Sequence, residues 1–394
     1  MVEVNLVFPK SGVGEGERRV PLGLCYLSSA IKEAGYSVNC QDLDLERLNL
    51  NCKYLGVSVP TFCYSEALEI AQKAKEKGVV TVAGGIHASI DPRSLLEHGF
   101  DFCVQGDGER LLPDLLRRLE GGEQLDSCLH DRVDDVDNLP FPDFSWVDWG
   151  NYVQNTVPIS TSRGCPYNCS FCYRPDRLCK LRSAGNIVKE LALYEGKVVE
   201  VVDDVFTINR QRILELRDLL RKEGLDISFS LMNGVRVDSL DREVIRTLRR
   251  MRTDNINIGV ESIHDDVLRL CNKGITFSQI KNVVKLLRKH GYKNNAAIYM
   301  IVGLPGDNLH KSLEAMRWVQ GTGMKSSWCL ATPFPGTEMY RWVDENARWL
   351  IDPRDYANYC GLYSRLKAMF ETDGFTQQER LYAILKAKYE VERK

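Results

Sequence analysis

The 394-residue sequence contains no apolar run approaching the ~18 to 20 residues that a membrane-spanning helix needs, so no membrane span is expected. Its first residues, MVEVNLVFPK, lack the layout of a secretory signal, and a cytoplasmic location follows as the expectation. An excess of one charge is also missing. The 52 Lys and Arg nearly cancel the 54 Asp and Glu, leaving a net of −2, which removes the electrostatic drive toward bulk nucleic acid. Histidine is scarce, with six in all, and none has an Asp two residues before it. The glycines of Gly12-Val13-Gly14-Glu15-Gly16 are not followed by Lys-Ser or Lys-Thr and are wrongly spaced for a dinucleotide fingerprint. A flexible loop closing over the first sheet is the simpler expectation there.

Cysteine, by contrast, is plentiful. Of thirteen, ten (Cys25, Cys40, Cys52, Cys63, Cys103, Cys128, Cys179, Cys271, Cys329 and Cys360) are dispersed, mostly in apolar runs where a thiol behaves as a small hydrophobe. They read as reduced residues of a reducing, anaerobic cytoplasm. Only Cys165, Cys169 and Cys172 cluster, inside RGCPYNCSFCY.

A chain of this length exceeds one ordinary core, so two domains and an appendage are expected. From Val2 to about residue 120, apolar runs (Val2 to Phe8, Ser37 to Asp42, Tyr54 to Val59, Val79 to Ala83, Phe102 to Val104) alternate with amphipathic stretches (Leu22 to Ala34, Glu66 to Lys77, Leu111 to Leu119). Strands that are apolar throughout suit a parallel sheet covered on both faces. The fold class is therefore α/β, beginning with a doubly wound, Rossmann-like sheet over residues 1–125 whose ligand lies beyond the carboxyl ends of its strands. Residues 126–156, with their acidic run and the Pro140-Phe141-Pro142 turn, read as a linker. Six more strand and helix units over 157–335 suggest a partial (β/α)6 barrel, with strands near Val157 to Ser162, Val198 to Val202, Ile227 to Met232, Asn255 to Val260, Asn295 to Val302 and Lys325 to Leu330. Residues 336–394 read as a mostly helical, substrate-facing region.

The three clustered cysteines follow the first barrel strand, which puts their thiolates at its carboxyl end. Spacings of three and two intervening residues let a short loop wrap a [4Fe-4S] cluster and leave one iron open to a small molecule. Structural zinc is the alternative. It usually takes four protein ligands, and only Cys179 lies near enough to join.

On these residues the stretch resembles the radical S-adenosylmethionine (SAM) superfamily, whose cluster loop has this spacing with an aromatic before the last Cys, here Phe171. The resemblance implies that the open iron chelates the amino and carboxylate groups of SAM, which is then cleaved to a 5′-deoxyadenosyl radical. It also implies that Asp203 or Asp204 receives the methionine ammonium, that Glu261 and Ser262 lie near the ribose and methionine, and that the Gly303-Leu304-Pro305-Gly306 turn meets adenine. Any one carboxylate at a strand end could instead be a helix cap.

The amino-terminal sheet resembles the cobalamin-binding domain that precedes the radical domain in one large subfamily. Pro21-Leu22-Gly23, Gly84-Gly85-Ile86-His87 and Gln105-Gly106-Asp107-Gly108-Glu109 stand where that subfamily has its turns. The absence of an Asp-x-His stretch implies cobalamin without a lower His ligand. The lower face would then be met by Thr61, Phe62, Cys63 or Tyr64, with the choice among the last three open. His87 is either a contact to the cobalamin tail or a helix-start residue.

Together the resemblances imply a methyltransferase in which methylcobalamin methylates an unactivated sp3 carbon prepared by the radical, with an external one-electron reductant and a chain acting as a monomer. The substrate is a peptide, a protein or a small molecule. Tyr340, Trp342, Trp349, Tyr356, Tyr359 and Tyr363 offer aromatic surface for it, or are core. One similar group is the archaeal enzymes that modify a glutamine of methyl-coenzyme M reductase post-translationally. Cyclisation or rearrangement of a small molecule or lipid is the alternative chemistry, and a non-catalytic cofactor carrier the alternative class. The second three-cysteine site of transfer-RNA methylthiotransferases is absent.

Overall fold

The computed structural model describes every residue except 1, 15, 154, 174–177, 360–366 and 392–394, so Cys360 and Tyr363 lie outside the described residues. The chain forms two compact units, Met1–Gln154 with Arg354–Tyr363, and Asn155–Pro353 with Ser364–Lys394.

In the first unit, strands β1 (Val2–Phe8), β2 (Val38–Asp42), β3 (Cys52–Ser58), β4 (Val80–Gly84), β5 (Phe102–Gly106) and β6 (Cys128–Asp131) form one sheet in the order β2-β1-β3-β4-β5-β6. All neighbours are parallel. Successive residues of each strand bury into opposite layers. Leu6, Tyr54, Val82 and Val104 meet Leu24, Leu112, Leu115 and Leu116, while Val7, Leu55, Ala83 and Cys103 meet Ala67, Ile70 and Ala71. That two-sided burial is why the strands carry no polar alternation. The covering helices place apolar residues at helical spacing, as at Ala67, Ile70, Ala71 and Ala74 of Tyr64–Glu76. Cutting a wholly buried residue such as Leu55 to Ala is expected to cost about 2–5 kcal/mol.

The order reverses between β1 and β3, so the loops after those strands flank the crevice where open α/β sheets bind ligands. The expected linker is not free-running: its residues 128–131 add β6, and the compact unit continues to residue 154. This edge strand alternates exposed and half-buried positions, so it leaves too weak an apolar signal to be read in sequence.

The second unit has six parallel strands in sequential order, Thr156–Ile159, Val198–Val201, Ser228–Arg236, Thr253–Glu261, Ala296–Val302 and Lys325–Leu330, as expected of a partial barrel. Its core runs through Ile159, Val199, Phe229, Ile256 and Ile298. The tail divides instead of forming one substrate-facing region. Helix Gln377–Lys386 buries Ala383 and Ile384 in this same core, whereas Arg354–Tyr363 belongs to the first unit and buries Tyr356 and Tyr359 there. Trp349 packs on Tyr340 at a ring separation of 5.2 Å.

Candidate cluster and cofactor site

The cysteine loop leaves the first strand of the second unit through Ser160, Thr161 and Ser162, and a buried network of charges fixes that exit. Arg182 Nη1 donates to the Ser160 carbonyl at 2.8 Å and pairs with the fully buried Glu190. Arg212 Nη1 donates to the Thr161 carbonyl at 2.6 Å. Asp203 accepts from the Thr161 amide at 2.6 Å, from the Thr161 hydroxyl and from Ser162 Oγ at 2.7 Å. Burial pushes the Asp203 carboxyl above its ordinary range, and these donors and Arg212 oppose the shift. Asp203 is therefore engaged with the backbone and hydroxyls that lead into the loop. Asp204 is exposed beside it.

The loop itself is pinned on several sides. The Ser170 amide donates to the Cys271 carbonyl at 2.9 Å, and the Met339 amide donates to the Ser170 carbonyl at 2.8 Å. Glu338 accepts from Asn168 and from Asn272, each at 3.0 Å. Cys165 and Cys169 are buried and Cys172 half-buried. Among the described residues no three His, Cys, Asp or Glu side chains converge as ligands of one metal ion.

Positive charge surrounds Cys169. Arg236 Nη1 donates to its Sγ at 3.5 Å. Lys273 pairs with Glu261 at 2.8 Å, both side chains buried, and lies 5.8 Å from the centre of the Phe171 ring. Burial would lower the Lys273 ammonium, but the Glu261 carboxylate and Cys169 outweigh it and hold it above its ordinary value. Cationic donors around the thiolates fit an anionic cluster.

Glu261 ends the fourth strand at φ 67°, in the left-handed region that a Glu rarely adopts, next to a register shift. Ser262 follows it, and its Oγ accepts from the His264 amide at 3.2 Å. The Gly303 turn is locked from both sides. Its amide donates to Asp307 at 2.8 Å and its carbonyl accepts from Arg380 Nη1 at 2.9 Å. Gly303 has φ 89°, and a Cβ there would lie 2.1 Å from Arg380 Nη1, so glycine is required for this contact. Pro305 sits within the turn and is buried.

In the first unit, the expected cofactor residues gather at the carboxyl ends of the strands. Leu22 and Gly23 open helix Leu22–Glu33, Thr61 to Tyr64 come after β3, Gly84 ends β4 with Gly85 next, and Gly106 ends β5 with Gly108 and the buried Glu109 beyond it. A Cβ at Gly23 or Gly84 would meet nothing within 4 Å, so the backbone there is open to a large ligand. Gly106 has a different reason to be glycine: at φ 86°, a Cβ would lie 2.2 Å from the Asp131 carbonyl.

The residues Thr61 to Tyr64 are tied into the unit in different ways. The Cys63 thiol is buried and donates to the Lys10 carbonyl at 3.7 Å, and the Tyr64 hydroxyl donates to the Ser94 carbonyl at 3.3 Å. Thr61 is buried beside His87, while Phe62 is half-buried. The His87 ring is fully buried, with Nδ1 3.4 Å from Thr61 Oγ1 and Nε2 3.2 Å from Ser94 Oγ. Tyr64 and Tyr356 pack on it at 4.8 and 4.5 Å, and Tyr356 donates to Asp91 at 2.7 Å. Burial lowers its pKa to about 4, so the ring is neutral at pH 7. His87 thus stands in the first turn of helix Ile86–Ile90 with both ring nitrogens near hydroxyl oxygens.

Sequence reasoning missed Arg236, Lys273, Glu338, Asp307 and Arg380, because single charges outside recognised turns carry no pattern.

Residues 159–319 match the Radical SAM superfamily and residues 16–116 the B12 binding domain. An uncharacterized methyltransferase of Pyrococcus horikoshii is 25% identical, over 94% of this chain and 94% of its own length. The anaerobic magnesium-protoporphyrin IX monomethyl ester cyclase of Cereibacter sphaeroides is 24% identical over 86% of this chain and 62% of its own. The bacteriochlorophyllide d C-8(2)-methyltransferase of Chlorobaculum tepidum is 25% identical over 88% and 79%. In fold, the chain is similar to the cobalamin-dependent S-adenosylmethionine radical enzyme OxsB, with a TM-score of 0.69 and 19% identity over 99% of this chain and 62% of OxsB. Among the described residues no helix is long and apolar enough to cross a membrane. With a [4Fe-4S] cluster and SAM assigned to one unit and cobalamin to the other, the chain belongs to the cobalamin-binding radical SAM enzymes of the methyltransferase type.

Proposed function

We propose that the protein methylates an unactivated sp3 carbon of an amino-acid residue within a protein, and that a glutamine of methyl-coenzyme M reductase is the acceptor to test first. The observation that carries the methyl-transfer reading is the joint presence of the two cofactor domains in a chain matched almost end to end by the Pyrococcus horikoshii methyltransferase. When bound, the cluster with SAM supplies hydrogen-atom abstraction, and cobalamin supplies the methyl group.

The residues divide the work. Cys165, Cys169 and Cys172 hold the cluster. Asp204 receives the methionine ammonium, a role that the engagement of Asp203 with Thr161 and Ser162 leaves to it. Glu261 and Ser262 face the ribose and methionine, with Lys273 holding the Glu261 carboxylate at 2.8 Å in its strained conformation. Gly303 and Pro305 offer a rigid edge to adenine, fixed by Asp307 and Arg380. Leu22, Gly23, Phe62, Gly84, Gly85, Gly106, Gly108 and Glu109 frame cobalamin, while Thr61, Cys63, Tyr64 and His87 support that frame from within. Phe62, half-buried in its loop as Tyr64 is, would meet the lower face.

The test is anaerobic turnover with methyl-labelled SAM and an acceptor protein or peptide containing that glutamine, read by mass spectrometry. A labelled methyl on the glutamine carbon supports the reading. Label on another residue or a small molecule moves the substrate and keeps the reaction class. The cyclase of Cereibacter sphaeroides favours a second reading, oxidative ring closure, which would remove hydrogens from the acceptor and add no methyl.

A further inference from the structure

The charged residues around the cysteine loop are not equivalent. Asp203, Arg182 and Arg212 hold backbone upstream of the cysteines, and Glu338 links Asn168 of the loop to Asn272. Arg236 donates to a cluster thiolate itself, with Nη1 3.5 Å from Cys169 Sγ.

Everything around Arg236 restricts it to that pose. Nε and Nη2 donate to the two oxygens of Asp238, each at 2.9 Å. Nη2 also donates to the Lys273 carbonyl at 2.6 Å, and the guanidinium stacks on Tyr167 at 3.5 Å from the ring centre. The residue is 6% exposed. A planar donor fixed by a bidentate carboxylate, a carbonyl and an aromatic face loses little freedom on meeting the sulfur. It sits at the end of the third strand, whereas the cysteines follow the first. Fold topology, not the cysteine motif, brings it there.

We infer that Arg236 sets the reduction potential of the cluster held by Cys165, Cys169 and Cys172, in addition to positioning Cys169. An N–H donor and a positive charge at a ligating sulfur stabilise the state with more negative charge, and hydrogen bonds to sulfur are among the determinants of cluster potential. Reduction adds one electron from an external one-electron donor to the cluster, with no proton transferred. The charge that arrives spreads onto the thiolate sulfurs, and the Arg236 guanidinium faces one of them. Removing the donor and its charge therefore makes reduction harder.

This inference rests on the cluster assignment, and the experiment separates the two. Wild-type protein, Arg236→Lys, Arg236→Gln and the double variant Arg236→Met with Asp238→Asn, which leaves no unpaired buried charge, are reconstituted anaerobically. Iron per chain is counted, and each cluster is titrated by electron paramagnetic resonance. A wild-type protein that binds no four-iron cluster defeats the cluster assignment itself. With that cluster present, the expected order of potential is wild type, then Lys, then Gln, and the double variant, which removes the donor with no net change of charge, should lie between wild type and Gln. At a fixed potential the reduced-to-oxidised ratio should fall at least tenfold in Arg236→Gln, which is about 59 mV for a one-electron couple. Equal potentials in variants with full iron overturn the inference. So does loss of iron from all three variants with unchanged circular dichroism, because Arg236 would then serve assembly alone.

Discussion

The two units bury polar groups in opposite ways. The second unit buries charges as partners, with Arg182 and Glu190, Lys273 and Glu261, and Arg212 and Asp203 all inside it. The first unit buries mainly neutral groups, such as Asn5 with Gln41 at 2.8 Å and the uncharged His87 between Thr61 and Ser94. The difference follows the ligands assigned to each. An anionic cluster and a zwitterionic sulfonium are held by fixed charges, while a large corrin ring needs shape and open backbone. Electrostatic perturbation should therefore damage the second unit most, and the neutral His87 ring should give the first a pH response below neutrality.

The largest effect should come from Cys169→Ala, which removes a cluster ligand. Iron binding and SAM cleavage should be lost while cobalamin absorbance persists. Loss of both cofactors would break the separation between units.

Next is the buried pair of Arg182 and Glu190. Arg182→Met strands a carboxylate that is wholly buried, and unfolding by guanidinium should show a loss of about 3–5 kcal/mol. A change below 1 kcal/mol would mean that charge burial is not what holds the cluster loop's approach.

The neighbouring aspartates sharpen the same point. Asp203→Asn should lower stability by about 2 kcal/mol through its buried hydrogen bonds. Asp204→Asn should leave the melting curve in place and raise the KM for SAM several-fold. The reverse outcome would return the ammonium site to Asp203.

For the first unit the expected effect is a pH dependence of comparable size. The His87 pKa is about 4 when folded, against an unperturbed value near 6.5, so below pH 6.5 the unfolded chain binds the proton that the folded chain refuses. Stability should fall as pH drops from 6.5 to 4, by about 3 kcal/mol in total, and His87→Gln should flatten that slope. The smallest effect expected is that of Tyr356→Phe, which removes the hydroxyl bound to Asp91 at 2.7 Å and should cost about 1 kcal/mol.

Much of the fold was legible because both sheets are parallel, with strands that alternate regularly with helices along the chain. Segments such as Val2 to Phe8 and Lys325 to Leu330 coincide with observed strands. Strand β6 escaped because an edge strand needs no continuous apolar run, and the split tail escaped because residues distant in sequence decide its partners. The site divided along the same line. Cys165, Cys169, Cys172 and the glycine turns are local patterns, and they fall at strand ends as expected. The division of labour between Asp203 and Asp204 was not legible, since it depends on which carboxylate faces Thr161 across two strands. Arg236, Glu338 and Arg380 act through the fold, from other strands and helices, and leave no motif.

The most direct test of methyl transfer from cobalamin to a radical-prepared carbon is the fate of SAM during turnover. With anaerobically reconstituted enzyme, cobalamin and acceptor, 5′-deoxyadenosine and S-adenosylhomocysteine should form in equal amounts, with labelled methyl found on cobalamin and then on product. Deoxyadenosine forming alone, with every methyl group still on sulfur, would contradict the account.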